Sequence, residues 1–180
     1  MTDTQWRRFE VFVQEKAGEP YQNVGAVHAP DAEIALQNAR DVFVRRPDCV
    51  SLWVAPAERI FAKTAQELEE PTWREETIDP TGSDEAYYVF QKQSSRATAA
   101  FVTYVGQVWA RTPAQALCQA RDTWSSSKPF VWWVLPASGV TSSRPEDIDS
   151  LFAPAASKVY RQSVQYRTVT QMKQVKSGQT

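Results

Sequence analysis

From Phe9 to Glu15 apolar and polar positions alternate over aromatic and β-branched residues. The alternation resumes from Tyr21 to His28, with Gly18 and Pro20 between the two runs. This predicts two strands joined by a turn. The period then changes: Ala32, Ala35, Leu36, Ala39, Val42 and Phe43 recur at spacings of three and four. They form one stripe of a helix that starts at the cap Asp31. Arg45 and Arg46 suit its C-terminal end, and Pro47 stops it. A third strand is predicted from Cys49 to Ala55, ended by Pro56.

The same order then recurs. Gly25, Val27, Ala29, Ala35, Leu36, Ala39, Arg40 and Asp41 return as Gly106, Val108, Ala110, Ala116, Leu117, Ala120, Arg121 and Asp122, at an offset of 81. Trp53, Val54, Pro56 and Ala57 return as Trp133, Val134, Pro136 and Ala137, at an offset of 80. Register kept through a strand, a helix and another strand marks two copies of one unit. In the second copy strands are predicted at Tyr87–Gln91, Phe101–Trp109 and Phe130–Leu135, with a helix from about Pro113 to Trp124. Thr112 can cap that helix, Pro113 suits its first position, and Gln115 completes a Thr-x-x-Gln capping box.

Each unit is therefore β-β-α-β. The fold class is α+β, with two tandem units forming a pseudo-two-fold dimer within one chain. Residues 1–64 make the first unit, 65–85 an acidic linker, 86–140 a second and degenerate unit, and 141–180 an extended C-terminal tail that needs a surface to lie on.

The third strands carry the sharpest packing information. Phe130, Trp132 and Val134 share one face, yet Val131, Trp133 and Leu135 on the other are also apolar, so both faces must be covered. In the first copy Val50, Leu52 and Val54 share a face, and Trp53 stands between Ser51 and Ala55 on the other. A helix covers one side. Trp53 and Trp133 then belong to a second buried surface, which is either ordinary core, the contact between the copies or a partner site.

The chain has 180 residues, seven Trp and a formal charge of −1, the composition of a globular protein without a whole-surface attraction to nucleic acid or anionic membrane. The charge is unevenly spread. Glu67, Glu69, Glu70, Glu75, Glu76, Asp79, Asp84 and Glu85 crowd the linker, while Lys158, Arg161, Arg167, Lys173 and Lys176 follow Asp149 without an acid among them. No apolar run reaches membrane-spanning length, and the N-terminus lacks the apolar region of a signal peptide, so a cytoplasmic location is expected. Cys49 and Cys118 occupy inequivalent repeat positions outside any CxxC pair, and read as reduced and structural.

Chemistry is sparse. His28 is the sole histidine and corresponds to Trp109 in the second copy. It reads as a partly buried, hydrogen-bonded residue at a strand end. Catalytic triads, HExxH and Cys/His zinc sites cannot be written with it. The glycines form no phosphate-cradling motif, and Gly25 and Gly106, inside strands, indicate a bulge or a close backbone approach. The Arg40/Asp41 and Arg121/Asp122 pairs read as an ion pair or helix-end contact made twice. Ser94, Ser95 and Ser125 to Ser127 have no base nearby in sequence and read as turns. No catalytic, cofactor-binding or metal-binding residue is expected in this chain.

The words GAVHAPDAEIALQNARDVFVRRPDCVSLWV, preceded by FEVFVQEKAGEPYQNV, resemble the family formed by the B component of the phenylacetyl-CoA ring-epoxidising oxygenase, known as PaaB, from about Trp6 to Ala57. AASKVYR resembles that family's C-terminal words, carried here by Phe152, Ala153, Pro154 and Ser157 to Arg161. The second copy, inserted before these words, lacks the His, the Arg-Arg and the Ser, as a duplicated long form would. The resemblance implies a non-catalytic structural subunit that bridges ferritin-like A and C subunits. It also implies a di-iron site in the A subunit, and flavin and iron–sulfur groups in a separate reductase. On this reading Trp53, Trp133, Lys158, Tyr160, Arg161 and Tyr166 are the candidate partner contacts. Two other classes remain: a stand-alone small-molecule or acyl-CoA binding module with a cavity between paired units, and a nucleic-acid binder using the basic tail, which the near-neutral total charge disfavours.

Overall fold

The computed structural model describes residues 6–44, 49–70, 72–74, 83–93, 102–124 and 128–157. In chain order the elements are β1 (Arg8–Gln14), β2 (Gln22–His28), α1 (Ala32–Phe43), β3 (Ser51–Pro56), β4 (Phe61–Thr64), β5 (Glu85–Lys92), β6 (Thr103–Ala110), α2 (Pro113–Thr123), β7 (Val131–Pro136), β8 (Thr141–Ser142) and α3 (Ile148–Ser157). Single 3₁₀ turns follow β3 and β7 and precede α3. The fold is α+β, built on one eight-stranded antiparallel sheet in the order β4-β7-β5-β6-β2-β1-β3-β8. The predicted strands and helices lie where their periodicity puts them. The predicted stop at Arg45 to Pro47, the predicted strand start at Phe101 and the serines 94, 95 and 125 to 127 lie outside the described residues.

The helix starts follow local chemistry. Asp31 accepts from the Ile34 amide at 2.8 Å, and Thr112 accepts from the Gln115 amide at 3.2 Å. Gln115 reaches back to the Arg111 amide at 3.1 Å, one residue earlier than a capping box requires. Gly25 and Gly106 fulfil both of their expected roles. Each sits opposite a register shift, between Val11 and Phe12 or between Val89 and Phe90. A Cβ on Gly25 would lie 2.9 Å from the Phe43 ring, and one on Gly106 2.4 Å from Trp124. The missing side chain lets the ring that closes each helix lie against the bulge.

Three apolar clusters hold the sheet. Beneath α1, Phe9, Val11, Val13, Leu52 and Val54 pack with Ala35, Leu36 and Ala39; beneath α2, Tyr87, Val89, Trp132 and Val134 pack with Ala116, Leu117 and Ala120. The third cluster lies on the opposite face and draws on both halves: Phe12, Ala55, Phe90, Val102 and Leu135, flanked by Tyr21, Trp53, Tyr88, Tyr104 and Trp133. Phe12 of β1 and Phe90 of β5 are three strand spacings apart in the sheet order, about 14 Å if the sheet were flat. Their ring centroids are 4.6 Å apart. The sheet therefore curls until its helix-free face closes on itself, leaving Phe12, Phe90, Ala55 and Leu135 without exposed surface.

The short strands exchange halves. β4, which follows the first copy, pairs with β7 of the second through Phe61↔Val134 and Ala62↔Trp133. β8, which follows the second copy, pairs with β3 of the first through Val54↔Thr141 and Trp53↔Ser142. The sequence offset of 80 carries one set of pairs onto the other. At the middle of the sheet β2 meets β6 at Gln22↔Thr103, two residues related by the offset of 81. The Asn23 amide donates to the Val102 carbonyl and the Tyr104 amide to the Tyr21 carbonyl, both at 2.8 Å.

Two expectations about the connecting segments are corrected. Within the acidic stretch 65–85, Leu68 and Trp73 are buried in the cluster beneath α2. Within 141–180, residues 141–157 are not extended: they form β8, a turn and α3, and Leu151 and Phe152 are buried beneath α1. The physical reason is the same in both places. After crossing to the other half, the chain meets the apolar flank of that half's helix and lays large side chains against it.

Candidate functional site

Trp53 and Trp133 stand on the curled inner face, as their alternation requires. Trp53 is sandwiched between Tyr21, stacked at 3.6 Å, and Tyr88 of the second half, stacked at 4.9 Å, with Tyr104 edge-on at 5.9 Å. Trp133 meets Phe12 of the first half edge-on at 6.4 Å. Both indoles are half-buried and contact the other copy. The Tyr21 hydroxyl donates to Ser51 Oγ at 2.8 Å, and Ser143 Oγ accepts from the Leu52 amide at 3.1 Å while standing 3.4 Å from Ser51 Oγ. Burial pushes the Tyr21 and Tyr104 hydroxyls above the usual tyrosine pKa, and it raises Tyr87 strongly, assisted by the bond it donates to Glu85 at 2.9 Å. The rings fill the space between the two halves, where a cavity-binding module would need room.

His28 caps the end of β2. Its Nδ1 donates to the Trp6 carbonyl at 2.6 Å, and its own carbonyl accepts from Asn38 Nδ2 at 3.2 Å. The side chain is exposed rather than partly buried, because His28 is the last residue of the strand, where sheet neighbours no longer cover it. Cys49 is buried and its thiol is pushed up to about 11 by desolvation, whereas Cys118 is partly exposed. Among the described residues no three His, Cys, Asp or Glu side chains gather into a set that could hold a metal ion. No described helix is long and apolar enough to cross a membrane. Lys158, Tyr160, Arg161 and Tyr166 lie outside the described residues.

Two surface clefts flank the helices at corresponding places. One, of about 440 Å³, lies where α1, β8 and α3 meet, and is lined by Glu33, Gln37, Arg40, Arg144, Asp147 and Leu151. The other, of about 790 Å³, lies beside α2 and is lined by Leu68, Glu69, Arg74, Cys118, Arg121, Asp122, Lys128 and Trp132. Arg40 and Arg121 are repeat equivalents, but their surroundings differ. Arg40 Nε pairs with Asp41 at 3.0 Å, while the Arg121 guanidinium lies 5.9 Å from the Trp73 ring centre and Arg74 lies 5.5 Å from the same ring. The ion pair expected in both copies is thus found in the first. Reading along the chain missed this cleft, because Arg74 follows β4 and reaches Arg121 and Lys128 of the second half only through the pairing of β4 with β7.

Fold and surface together define an α+β sheet protein of repeated β-β-α-β units, tied by exchanged strands and an aromatic seam. The chain belongs to the PaaB family, phenylacetic acid degradation B, whose sequence profile matches residues 5–79 and again 84–173. It is similar to the B component of the 1,2-phenylacetyl-CoA epoxidase of Escherichia coli (strain K12), with 40% identity over 83 residues, covering 46% of this chain and 81% of that one. No solved structure matches it.

Proposed function

We propose that this chain is a non-catalytic bridging subunit of a bacterial multicomponent di-iron oxygenase that epoxidises phenylacetyl-CoA in phenylacetate degradation. The observation that carries the reading is the 40% identity to an epoxidase B component along most of that relative's length. In this reading its partners are ferritin-like A and C subunits, the A subunit holding the di-iron centre. A flavin and iron–sulfur reductase supplies electrons, and the assembly works in the cytoplasm without nucleic acid or membrane. The chain is a fused pair with an internal pseudo-two-fold axis through Gln22 and Thr103, and one polypeptide does the work of two single-unit subunits. The reciprocal β4 and β8 registers and the double match of the family profile support that.

The geometry bears on what the units are for. A filled inner face favours a scaffold over the alternative of a ligand cavity between the units. Trp53 and Trp133 serve the seam, and partner contact falls to the segment carrying Lys158, Tyr160, Arg161 and Tyr166, along with exposed apolar side chains such as Trp6, Ile34, Val42 and Trp109. The test is reconstitution with the catalytic subunits, comparing the full chain with one ending at Ser157. The full chain should join the subunits and raise epoxidation, and the shortened one should assemble more weakly. If the full chain neither joins them nor raises their activity, the proposal is wrong.

A further inference from the structure

Very little joins the eight-stranded sheet across its middle. β2 and β6 share the single register pair Gln22↔Thr103, and the flanking bonds, from the Asn23 amide to Val102 and from the Tyr104 amide to Tyr21, complete their ladder among the described residues. Beyond Tyr104, β6 runs on to Ala110 with β5 on one side and no described strand on the other. The same antiparallel register would set the turn between β1 and β2 alongside this stretch, but the turn bends off. The Glu19 amide donates to the Lys16 carbonyl at 3.1 Å, the Glu19 carbonyl accepts from Gln14 Nε2 at 2.7 Å, and Pro20 has no amide hydrogen.

The ladder fixes which backbone groups are open. Tyr104 turns its amide to β2, so Thr103 turns to β5 and meets Gln91. Alternation then gives β6 the peptide groups of Val89, Tyr87 and Glu85, opposite Gly106, Val108 and Ala110. Those of Gln107 and Trp109 point the other way, where no described residue meets them. Both residues are exposed, Trp109 at 61%. Open edges are ordinarily guarded by shortness, charge or proline. The outer edges of this sheet are guarded: β8 has two residues, and β4 has four and carries Lys63. Val105 to Trp109 has neither charge nor proline.

We propose that Val105 to Trp109 accepts an extended segment of a catalytic partner subunit as an added strand. The identity of the partner rests on the function proposed above; the acceptor edge rests on the backbone. β2 already holds the Thr103 end of β6, so the open stretch is short. Pairing of that length between two copies of this chain buries far less than the roughly 1,200 Å² of a stable interface. A segment tethered to an assembly that is also held elsewhere needs no more, because its second contact forms within the complex. Opposite Gln107 and Trp109 the segment needs residues other than proline, since the bonds are made by its main chain. Beside the Trp109 indole it needs a β-branched or aromatic side chain.

The test measures hydrogen–deuterium exchange across Tyr104–Ala110, in the full-length chain alone and after reconstitution with the catalytic subunits. In the chain alone the Gln107 and Trp109 amides should exchange freely, and in the assembly both should slow on the order of tenfold or more. Gln107→Pro removes an outward donor and leaves the β5 ladder intact, so the variant should fold, as checked by circular dichroism, and join the subunits about tenfold more weakly. Trp109→Lys guards the edge with a charge at an exposed position; it should have the same effect and serves if the proline variant misfolds. Folded variants that join the subunits as tightly as the parent overturn the proposal. So does protection of both amides in the chain alone, which would assign the edge to another segment of this chain or, where sedimentation shows a dimer, to a second copy. A chain that joins the subunits with both amides still open refutes this inference alone; one that joins none refutes the functional reading with it.

Discussion

Replacing Trp53 with alanine tests whether the aromatic seam holds the two halves together. The indole stacks on Tyr21 at 3.6 Å and on Tyr88 at 4.9 Å, and takes the edge of Tyr104 at 5.9 Å. A fully buried Phe or Trp cut to Ala costs about 3–5 kcal/mol. Trp53 is half-buried, so the lower end, about 3 kcal/mol, applies, with each ring pair contributing roughly 0.5–1.5 kcal/mol of it beyond area. Against a total stability of roughly 5–15 kcal/mol this is a large loss. With a urea slope of about 2 kcal/mol/M, the denaturation midpoint should fall by about 1.5 M. Trp109→Ala is the control, since Trp109 is 61% exposed and should change stability by no more than about 0.5 kcal/mol. A double-mutant cycle with Tyr88→Ala should return a coupling of roughly 0.5–1.5 kcal/mol between the halves. Assembly with the catalytic subunits should weaken only as far as the variant unfolds. A Trp53→Ala chain with the parent's midpoint that nonetheless fails to join its partners would refute the reasoning and make Trp53 a partner anchor.

Gly106→Ala should lower the melting temperature more than Gly18→Ala, because its Cβ would meet Trp124 at 2.4 Å while Gly18, with φ +85°, faces open space. Equal shifts would show that the contact with Trp124 is unimportant. Stability should hold up to about pH 9 and fall above it. In the unfolded chain Cys49 loses its proton near the ordinary value of 9.0 and Tyr21, Tyr87 and Tyr104 lose theirs near 10.0, while burial holds these protons on in the folded protein, to about 11 for Cys49, so the unfolded state gains. Urea midpoints measured from pH 8 to 11.5 check this. Tyr104→Phe should make the alkaline fall shallower, and a slope unchanged in that variant would remove Tyr104 from the account.

Much of the local structure was legible because it rests on short-range chemistry. The 3.6-residue stripe from Ala32 to Phe43, the caps Asp31 and Thr112, and the alternation in β1 and β2 act within a few residues of where they are read. Gly25 and Gly106 announced their bulges for the same reason. α3 was legible in principle, since Ile148, Leu151 and Phe152 stand at helical spacing, but no repeat partner drew attention to it. Leu68 and Trp73 were hidden among acidic residues, where composition suggests a solvated linker.

By itself, the sequence determined that the chain is two β-β-α-β units, that both faces of the third strands are covered, and that Trp53 and Trp133 lie away from the helices. These follow from periodicity and from an internal copy, both local or self-referential signals. Only the tertiary structure decided what covers that second face. It shows the sheet curling so that β1 and β5 rings touch, β4 and β8 changing halves, and Arg74, Arg121 and Lys128 lining one cleft. A strand's pairing partner depends on which edge is free once the other strands have packed. Residues drawn from three segments share a cleft only after that choice is made, and no spacing along the chain records it.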